Sequence, residues 1–164
     1  MASWSLYVFL LLLSCDVAFL KKKKTEKKEN ILARGWGDDI TWVETYEEGL
    51  KIMQESDKPL MVIHHLLECP YSQALKKAFA ENNSIQKMAK EDFIMLNLVE
   101  ETTDPNMAPD GYYVPRILFV DPSMTVRADI AGKYNNRKFA YESEDLDFLK
   151  ENMEKAKKPY HTEL

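Results

Sequence analysis

Two short apolar runs separated by a helix-like segment constrain the fold of this chain more than any other feature. Residues 60–66 and 93–99 are mostly apolar and rich in residues that favour strands, as expected of strands buried on both faces. Between the runs, apolar side chains recur at helical spacing: Ala74, Leu75, Ala78 and Phe79. Strands that alternate with helices favour a layered α/β domain.

The remaining pattern completes this architecture. Apolar residues at helical spacing predict a first helix between residues 43 and 56, a short helix around 85–89 and a closing helix over 146–156. A strand is predicted at 117–120, and residues 126–130 alternate apolar and charged side chains like a strand exposed on one face. This order of elements predicts a mixed central sheet with helices on both faces.

Charge is distributed unevenly and excludes one class of partner. Residues 21–30 hold six Lys and two Glu, whereas residues 31–164 carry 16 basic and 24 acidic groups. A domain with this excess of acid repels phosphate backbones, so nucleic acid is not expected as a partner. The lysine run predicts a disordered tether over residues 21–33, with binding to anionic lipid or glycan as the alternative.

Both ends of the chain carry targeting features. Residues 6–13 are all apolar, which is the length of a signal-peptide core, so residues 1–20 predict a signal peptide, with a membrane anchor as the alternative. The last four residues resemble the tetrapeptide bound by the endoplasmic reticulum retrieval receptor. They are His161, Thr162, Glu163 and Leu164. Together the two ends predict residence in the endoplasmic reticulum lumen, with partial secretion as the alternative.

The folded domain keeps a single thiol. Cys15 lies inside the leader, which leaves Cys69 with no partner for an internal disulfide. Cys69 follows the strand at residues 60–66 and begins the next helix, where the helix dipole and unpaired N–H groups favour the thiolate. Glu68 beside it opposes this effect, so the sign of the pKa shift is open. An inert thiol at a helix cap is the alternative.

The motif Cys69-Pro70-Tyr71-Ser72 resembles the thioredoxin-fold disulfide oxidoreductases, which carry Cys-x-x-Cys at this strand-to-helix corner. That fold keeps a cis-proline facing the active-site sulfur, and Pro115 begins a strand at the matching place. The resemblance implies that Val114 and Pro115 bind peptide. Longer segments are similar to the anterior gradient proteins, single-domain relatives of protein disulfide isomerase in the endoplasmic reticulum. These segments are 34–38, 63–66, 72–77, 113–116 and 126–130.

The resemblance implies a thioredoxin-like domain over residues 34–160 and a role in secretory-pathway protein folding, with links to mucus-producing and ciliated epithelia. It also implies clients that are mucin-like or cell-surface proteins, such as dystroglycan. Family members are thought to form homodimers through Glu–Lys pairs on the first helix. Glu48 stands at the glutamate position, but Ile52 occupies the lysine position, so this contact stays open.

The motif departs from dithiol enzymes at two positions. Net oxidation or reduction needs a second sulfur to resolve the mixed disulfide, and Ser72 stands in its place. Thioredoxin-like enzymes also keep a buried acid six residues before the first cysteine, where this chain has Ile63. Both departures predict capture of clients on Cys69 and at most weak thiol–disulfide isomerisation.

Other candidate sites give weaker predictions. His64 and His65 are adjacent on a predicted strand and point to opposite faces, so they do not share a metal ion. One is expected in the core and the other near Cys69, where it would modulate the thiol. No Gly-rich phosphate loop is present, and no metal or other cofactor is expected. Asn82-Asn83-Ser84 is a sequon for N-glycosylation, whose use the sequence leaves open.

These patterns predict a lumenal folding factor that captures clients through Cys69. The alternative is a non-catalytic protein-binding module, secreted or lumenal, whose thiol is incidental.

Overall fold

The computed structural model describes residues 30–99 and 102–159. Within them, a three-stranded sheet is formed by β1 (Leu60–His64), β2 (Ile94–Leu98) and β3 (Arg116–Val120), in the order β2-β1-β3. The central strand β1 is parallel to β2 and antiparallel to β3. The mixed sheet predicted from the sequence is confirmed.

Four α-helices pack on this sheet in the part of the chain that the structure describes. They are α1 (Tyr46–Ser56), α2 (Pro70–Glu81), α3 (Asn83–Asp92) and α4 (Leu146–Ala156). Apolar side chains of α1 join the core on one face of the sheet, and those of α2, α3 and α4 join the core on the other. The prediction of helices on both faces is therefore confirmed.

Side chains along β1 point alternately to the two faces of the sheet and so contribute to two separate cores. Val62 points toward α1 and lies opposite Leu96 of β2 and Leu118 of β3, so one row of the sheet supplies three buried side chains. Its neighbour Ile63 points to the other face, where it shares a core with Phe79 of α2. Since successive strand residues face opposite sides, a sheet covered on both faces requires a strand that is buried along its whole length, and β1 is buried at all five positions.

The first helix begins later than its apolar spacing predicts. Val43 lies before α1, where its N–H donates to the Met95 carbonyl oxygen at 2.9 Å. Thr45 caps α1 by accepting the Glu48 N–H at 3.1 Å, and the Glu48 carboxylate accepts the Glu44 N–H at 2.8 Å. The Thr45 bond satisfies an N–H group that the first turn leaves unpaired, and the Glu48 bond fixes the residue before the cap. The Glu48 carboxylate thus has an intramolecular role, and its dimer contact stays a prediction.

The prediction of a fourth strand at residues 126–130 is wrong. Val126 forms a single bridge to β3, and the chain then turns. The buried Arg127 guanidinium donates to the Asp129 carboxylate and to the Lys158 carbonyl oxygen, each at 2.8 Å. These contacts hold the chain in a turn, where a strand would have needed a further row of backbone partners.

The boundary predicted between tether and domain is also corrected. Residues 31–33 form a 3-10 turn, and Ala33 is fully buried in the core. The Asn97 side-chain amide of β2 donates to the Leu32 carbonyl oxygen at 2.7 Å. The folded domain therefore begins before residue 34.

Several predictions fall outside the described residues, namely the signal peptide at 1–20, the tether before residue 30 and the retrieval tail at 161–164. In the ranges that the structure covers, no helix combines the length and the hydropathy needed to cross a membrane.

Candidate functional site

The predicted thiol lies at a tight corner between β1 and α2. After β1 the chain turns at Leu67 and Glu68, and the Cys69 N–H donates to the Leu66 carbonyl oxygen at 3.3 Å. Cys69 is the N-cap residue of α2, and its carbonyl oxygen accepts the Gln73 N–H at 3.0 Å. Pro70 follows at the first helical position, where its fixed φ and missing N–H cost nothing.

The structure decides the sign of the pKa shift of Cys69. The thiol is free and half-buried. Burial raises its pKa, but hydrogen bonds from the Ser72 hydroxyl and from the N–H groups of Ser72 and Tyr71 outweigh burial, so the pKa is lower than usual. Glu68 is exposed, where solvent screens its charge. The site therefore holds a larger fraction of the nucleophilic thiolate than an ordinary cysteine does.

Ser72 is built into this corner. Its side chain is fully buried, and its Oγ accepts the Leu66 N–H at 3.4 Å. Because that contact uses a lone pair of Oγ, the hydroxyl proton is available to the sulfur of Cys69. Ser72 stabilises the thiolate while supplying no second sulfur.

The predicted peptide platform shares a groove with one residue of the motif, Tyr71. The Val114–Pro115 peptide bond is cis, as the resemblance implied. Val114, Pro115 and Tyr71 line a groove of about 240 Å³, together with Tyr113, Tyr134 and Arg137. The Tyr71 ring is exposed at the rim. The structure thus brings the platform and the helix that carries the thiol to one surface.

Tyr113 forms a fixed wall of this groove. Its hydroxyl donates to Asp110 at 2.7 Å and accepts the Phe139 N–H at 3.0 Å. The guanidinium carbons of Arg116 and Arg137 lie 5.9 and 5.8 Å from its ring centroid. Burial, followed by the bond to Asp110, raises the pKa of Tyr113, which keeps the phenol protonated. Sequence reasoning missed the role of this residue, although an aromatic side chain beside the platform was a usable signal.

His64 lies beneath the platform on the α1 face. Its Nδ1 is 3.3 Å from the Arg116 guanidinium, which also donates to the carbonyl oxygens of Met107 and Tyr113 at 3.1 and 2.8 Å. Burial, followed by the charge of Arg116, lowers the pKa of His64 to about 3. A neutral imidazole therefore accepts from a buried arginine that ties β3 to the loop before it.

His65 lies on the opposite face, which confirms the prediction that the two rings diverge. Its Nε2 is 3.4 Å from the Asn97 side-chain oxygen, and its ring packs edge-on against Trp36 at 5.3 Å. Burial lowers its pKa to about 4. Both histidines are thus in the core, and an influence of either on Cys69 stays a prediction.

The remaining predicted residues are dispersed. Ile63 is fully buried at the position where dithiol relatives keep an acid. Asn82 and Glu48 lie at the starts of α3 and α1, away from the corner. Among residues 30–99 and 102–159, no cluster of three His, Cys, Asp or Glu side chains is arranged to hold a metal ion.

Comparison with known protein families agrees with this architecture. A family model described as thioredoxin-like matches residues 41–122. Among solved structures, a disulphide isomerase from Xylella fastidiosa Temecula1 has a TM-score of 0.40 and 17% identity, covering 54% of this chain and 76% of its own.

Curated relatives give a narrower match. Anterior gradient protein 3 of Homo sapiens is 60% identical over 97% of this chain and 95% of its own length. Its Xenopus tropicalis counterpart is 56% identical over 94% of each chain. Anterior gradient protein 2 homolog of Homo sapiens is 60% identical over 87% of this chain and 81% of its own length. The chain belongs to the anterior gradient family and carries its thioredoxin-like domain.

Proposed function

We propose that this chain is a folding factor of the endoplasmic reticulum lumen that captures secretory and cell-surface clients through a mixed disulfide on Cys69. One observation carries the proposal. A half-buried thiol of lowered pKa begins α2, and Tyr71 in the first turn of that helix lines the same groove as the cis Val114–Pro115 platform. Membership of a family with a thioredoxin-like domain supports a role related to that of protein disulfide isomerase.

Capture is a thiol–disulfide exchange. The Cys69 thiolate attacks one sulfur of a client disulfide, the client S–S bond breaks, and a Cys69–client disulfide forms. The other client sulfur leaves as a thiolate and takes a proton from solvent. No electrons are gained or lost overall, so the step needs no external oxidant.

Release needs a thiol from elsewhere, because the Ser72 hydroxyl cannot displace a disulfide. A second client thiolate attacks the client sulfur of the adduct and expels the Cys69 thiolate. Leaving thiols of low pKa depart faster, so the hydrogen bond from Ser72 that favours capture also favours discharge to the client. The geometry therefore suits isomerisation of client disulfides, and it does not suit net oxidation or reduction.

The surface around the thiol suits unfolded clients. Leu67 and Tyr71 flank Cys69 in sequence and are 54% and 65% exposed, and Tyr112, close before the platform, is 53% exposed. Large exposed apolar side chains next to a groove are typical of protein-binding surfaces. An extended client segment in the groove would present its disulfide to α2.

The same surface favours a second candidate function. A module that binds client segments non-covalently would use Leu67, Tyr71 and Tyr112 and would not need the thiol. Mucin-like or cell-surface proteins such as dystroglycan are candidate partners for either function.

The test compares the full chain with Cys69→Ala and Cys69→Ser in secretory cells. Free thiols are blocked with N-ethylmaleimide at lysis, and adducts are resolved by non-reducing electrophoresis. We expect thiol-sensitive adducts with the wild type and their loss with both variants, because each variant removes the attacking sulfur. Tyr112→Ala tests the client surface while keeping the thiol. Met124→Ala is the matched control, since Met124 is also an exposed apolar residue but lies beyond the end of β3 that is opposite the platform.

Adducts that persist in both Cys69 variants would overturn the covalent mechanism. Client binding that survives in Cys69→Ala but falls in Tyr112→Ala would establish the non-covalent module instead. Deleting residues 161–164 should increase secretion into the medium, and unchanged secretion would contradict lumenal retrieval.

A further inference from the structure

The corner between α2 and α3 carries the sequon Asn82-Asn83-Ser84, which the proposed folding activity does not use. Asn82 ends α2 and is the N-cap residue of α3, with extended backbone angles of −88° and 97°. Asn83 and Ser84 are exposed in the first turn of α3.

The two ends of the Asn82 amide have different roles. Its Oδ1 accepts the Ile85 N–H at 3.1 Å and so caps α3. Asn82 is partly buried, and within the described part of the chain its Nδ2 makes no hydrogen bond and is not fully buried, so solvent reaches it. The nitrogen that would receive a glycan is therefore the one that the fold leaves available.

The surroundings leave room for a glycan. An open groove of about 550 Å³ borders Asn83 and is lined by Gly35, Ala80, Gln86 and Lys87, among others. The twelve residues of α2 separate Asn82 from Cys69 by roughly 18 Å at 1.5 Å per residue. A glycan at this corner would stand at the opposite end of α2 from the thiol and leave client access to Cys69 open.

We infer that Asn82 carries an N-linked glycan, an inference that rests on the proposed lumenal location. The donor is a lipid-diphosphate-linked oligosaccharide. Its anomeric C1–O bond to the diphosphate breaks, a bond forms between C1 and Nδ2, and the proton lost by Nδ2 leaves with the lipid diphosphate. Oδ1 is unchanged by this transfer, so the cap of α3 is retained.

The experiment expresses the full chain in secretory cells and digests lysates with peptide-N-glycosidase F. We expect the wild type to migrate faster after digestion by one glycan and to show Asp at position 82 by mass spectrometry. Ser84→Ala and Asn82→Asp should both migrate as the digested wild type. Asp is a good N-cap residue and Ser84 does not cap the helix, so both variants remove the sequon and keep the cap.

Protease protection in intact microsomes tests the lumenal location separately from the glycan on Asn82. A wild-type chain that is protected inside microsomes but unaffected by the glycosidase overturns the glycan and leaves the folding proposal standing. A chain that is digested outside the microsomes and unmodified overturns both the glycan and the lumenal location. A mobility shift that survives in Ser84→Ala also overturns assignment to Asn82.

Discussion

At the scale of single residues, Ser72 gives the site its chemistry. A serine in place of the resolving cysteine removes one reaction, and its buried hydroxyl also lowers the pKa of Cys69. In the mechanism we propose, this one residue allows capture of a client on Cys69 and prevents resolution of the adduct. The sequence of the motif predicts that the site cannot resolve a mixed disulfide. The lowered pKa of Cys69 depends on where the fold places the Ser72 Oγ.

Replacing Ser72 by cysteine should shorten the life of client adducts. The new sulfur would lie at a buried position of the same helical turn as Cys69, where it can attack the adduct and close an internal disulfide. Adducts trapped with N-ethylmaleimide should therefore decrease on a non-reducing gel, and an internally oxidised monomer should appear.

Ser72→Ala is the control, because it removes the hydroxyl without adding a sulfur. Adducts should persist in this variant, while the pKa of Cys69 rises and alkylation by iodoacetamide near neutral pH slows. Equal adduct levels in Ser72→Cys and the wild type would contradict the assigned role of position 72.

At the scale of elements, local pattern predicts helices better than it predicts the last strand. Helix ends depend on neighbours such as Thr45 and Glu48, whose capping bonds span three or four residues. A strand needs a partner from elsewhere. The Arg127 N–H still donates to the Phe119 carbonyl oxygen of β3 at 2.8 Å, but the N–H groups of Ala128 and Ile130 bond within the turn. The alternation also misled on burial, since Arg127 is buried and Ala128 is exposed.

The 3-10 turn Ser143–Asp145, which leads into α4, offers a test of capping energetics. Asp145 accepts hydrogen bonds from the Glu142 N–H at 2.9 Å and from the Tyr134 hydroxyl at 3.0 Å, and it pairs with Lys133. Asp145→Asn should lower the free energy of unfolding by roughly 1–3 kcal/mol near pH 7, because a buried acceptor loses its charge. Urea denaturation measures the change.

Asp147→Asn is the matched control, since this exposed carboxylate lies in the same first turn and should cost under about 0.5 kcal/mol. Burial raises the pKa of Asp145, but Lys133 and the hydrogen bonds outweigh burial and hold it below its usual value. The stabilisation is therefore present above the ordinary carboxyl pKa and is lost as pH falls through the folded value. Equal losses for both variants at pH 7 would contradict the capping role.

At the scale of the whole molecule, the sheet buries an imidazole in each of its two cores. His64 faces the α1 side with Arg116, and His65 faces the other side with Trp36 and Asn97. Burial lowers the pKa of these rings to about 3 and about 4. Both rings are neutral in the folded protein across the physiological range.

The fold should consequently lose stability in mild acid. Above the unfolded histidine pKa of about 6.5, both states are neutral and stability is complete. As pH falls below that value, the two imidazoles bind protons in the unfolded chain but stay neutral in the folded chain. Each ring then lowers the free energy of unfolding by up to about 1.4 kcal/mol per pH unit until its folded pKa is reached. Urea unfolding at a series of pH values between 7 and 5 measures the slope.

His65→Phe serves as the comparison, because it keeps an aromatic ring against Trp36 and removes one titrating group. The free energy of unfolding of this variant should depend less steeply on pH than that of the wild type, because unfolding takes up one proton fewer. A free energy of unfolding that stays constant from pH 7 to 5 in the wild type would contradict neutral burial of both rings.

The sequence by itself determined the order of helices and the three strands, the corner that presents Cys69, and the absence of a resolving sulfur at Ser72. These features follow from side-chain periodicity and from neighbours within a few residues. Only the tertiary structure decided the sign of the Cys69 pKa shift, the groove that joins Tyr71 to Pro115, and the turn at Arg127. Each of these depends on burial or on contacts between distant segments, and local sequence patterns carry no measure of either.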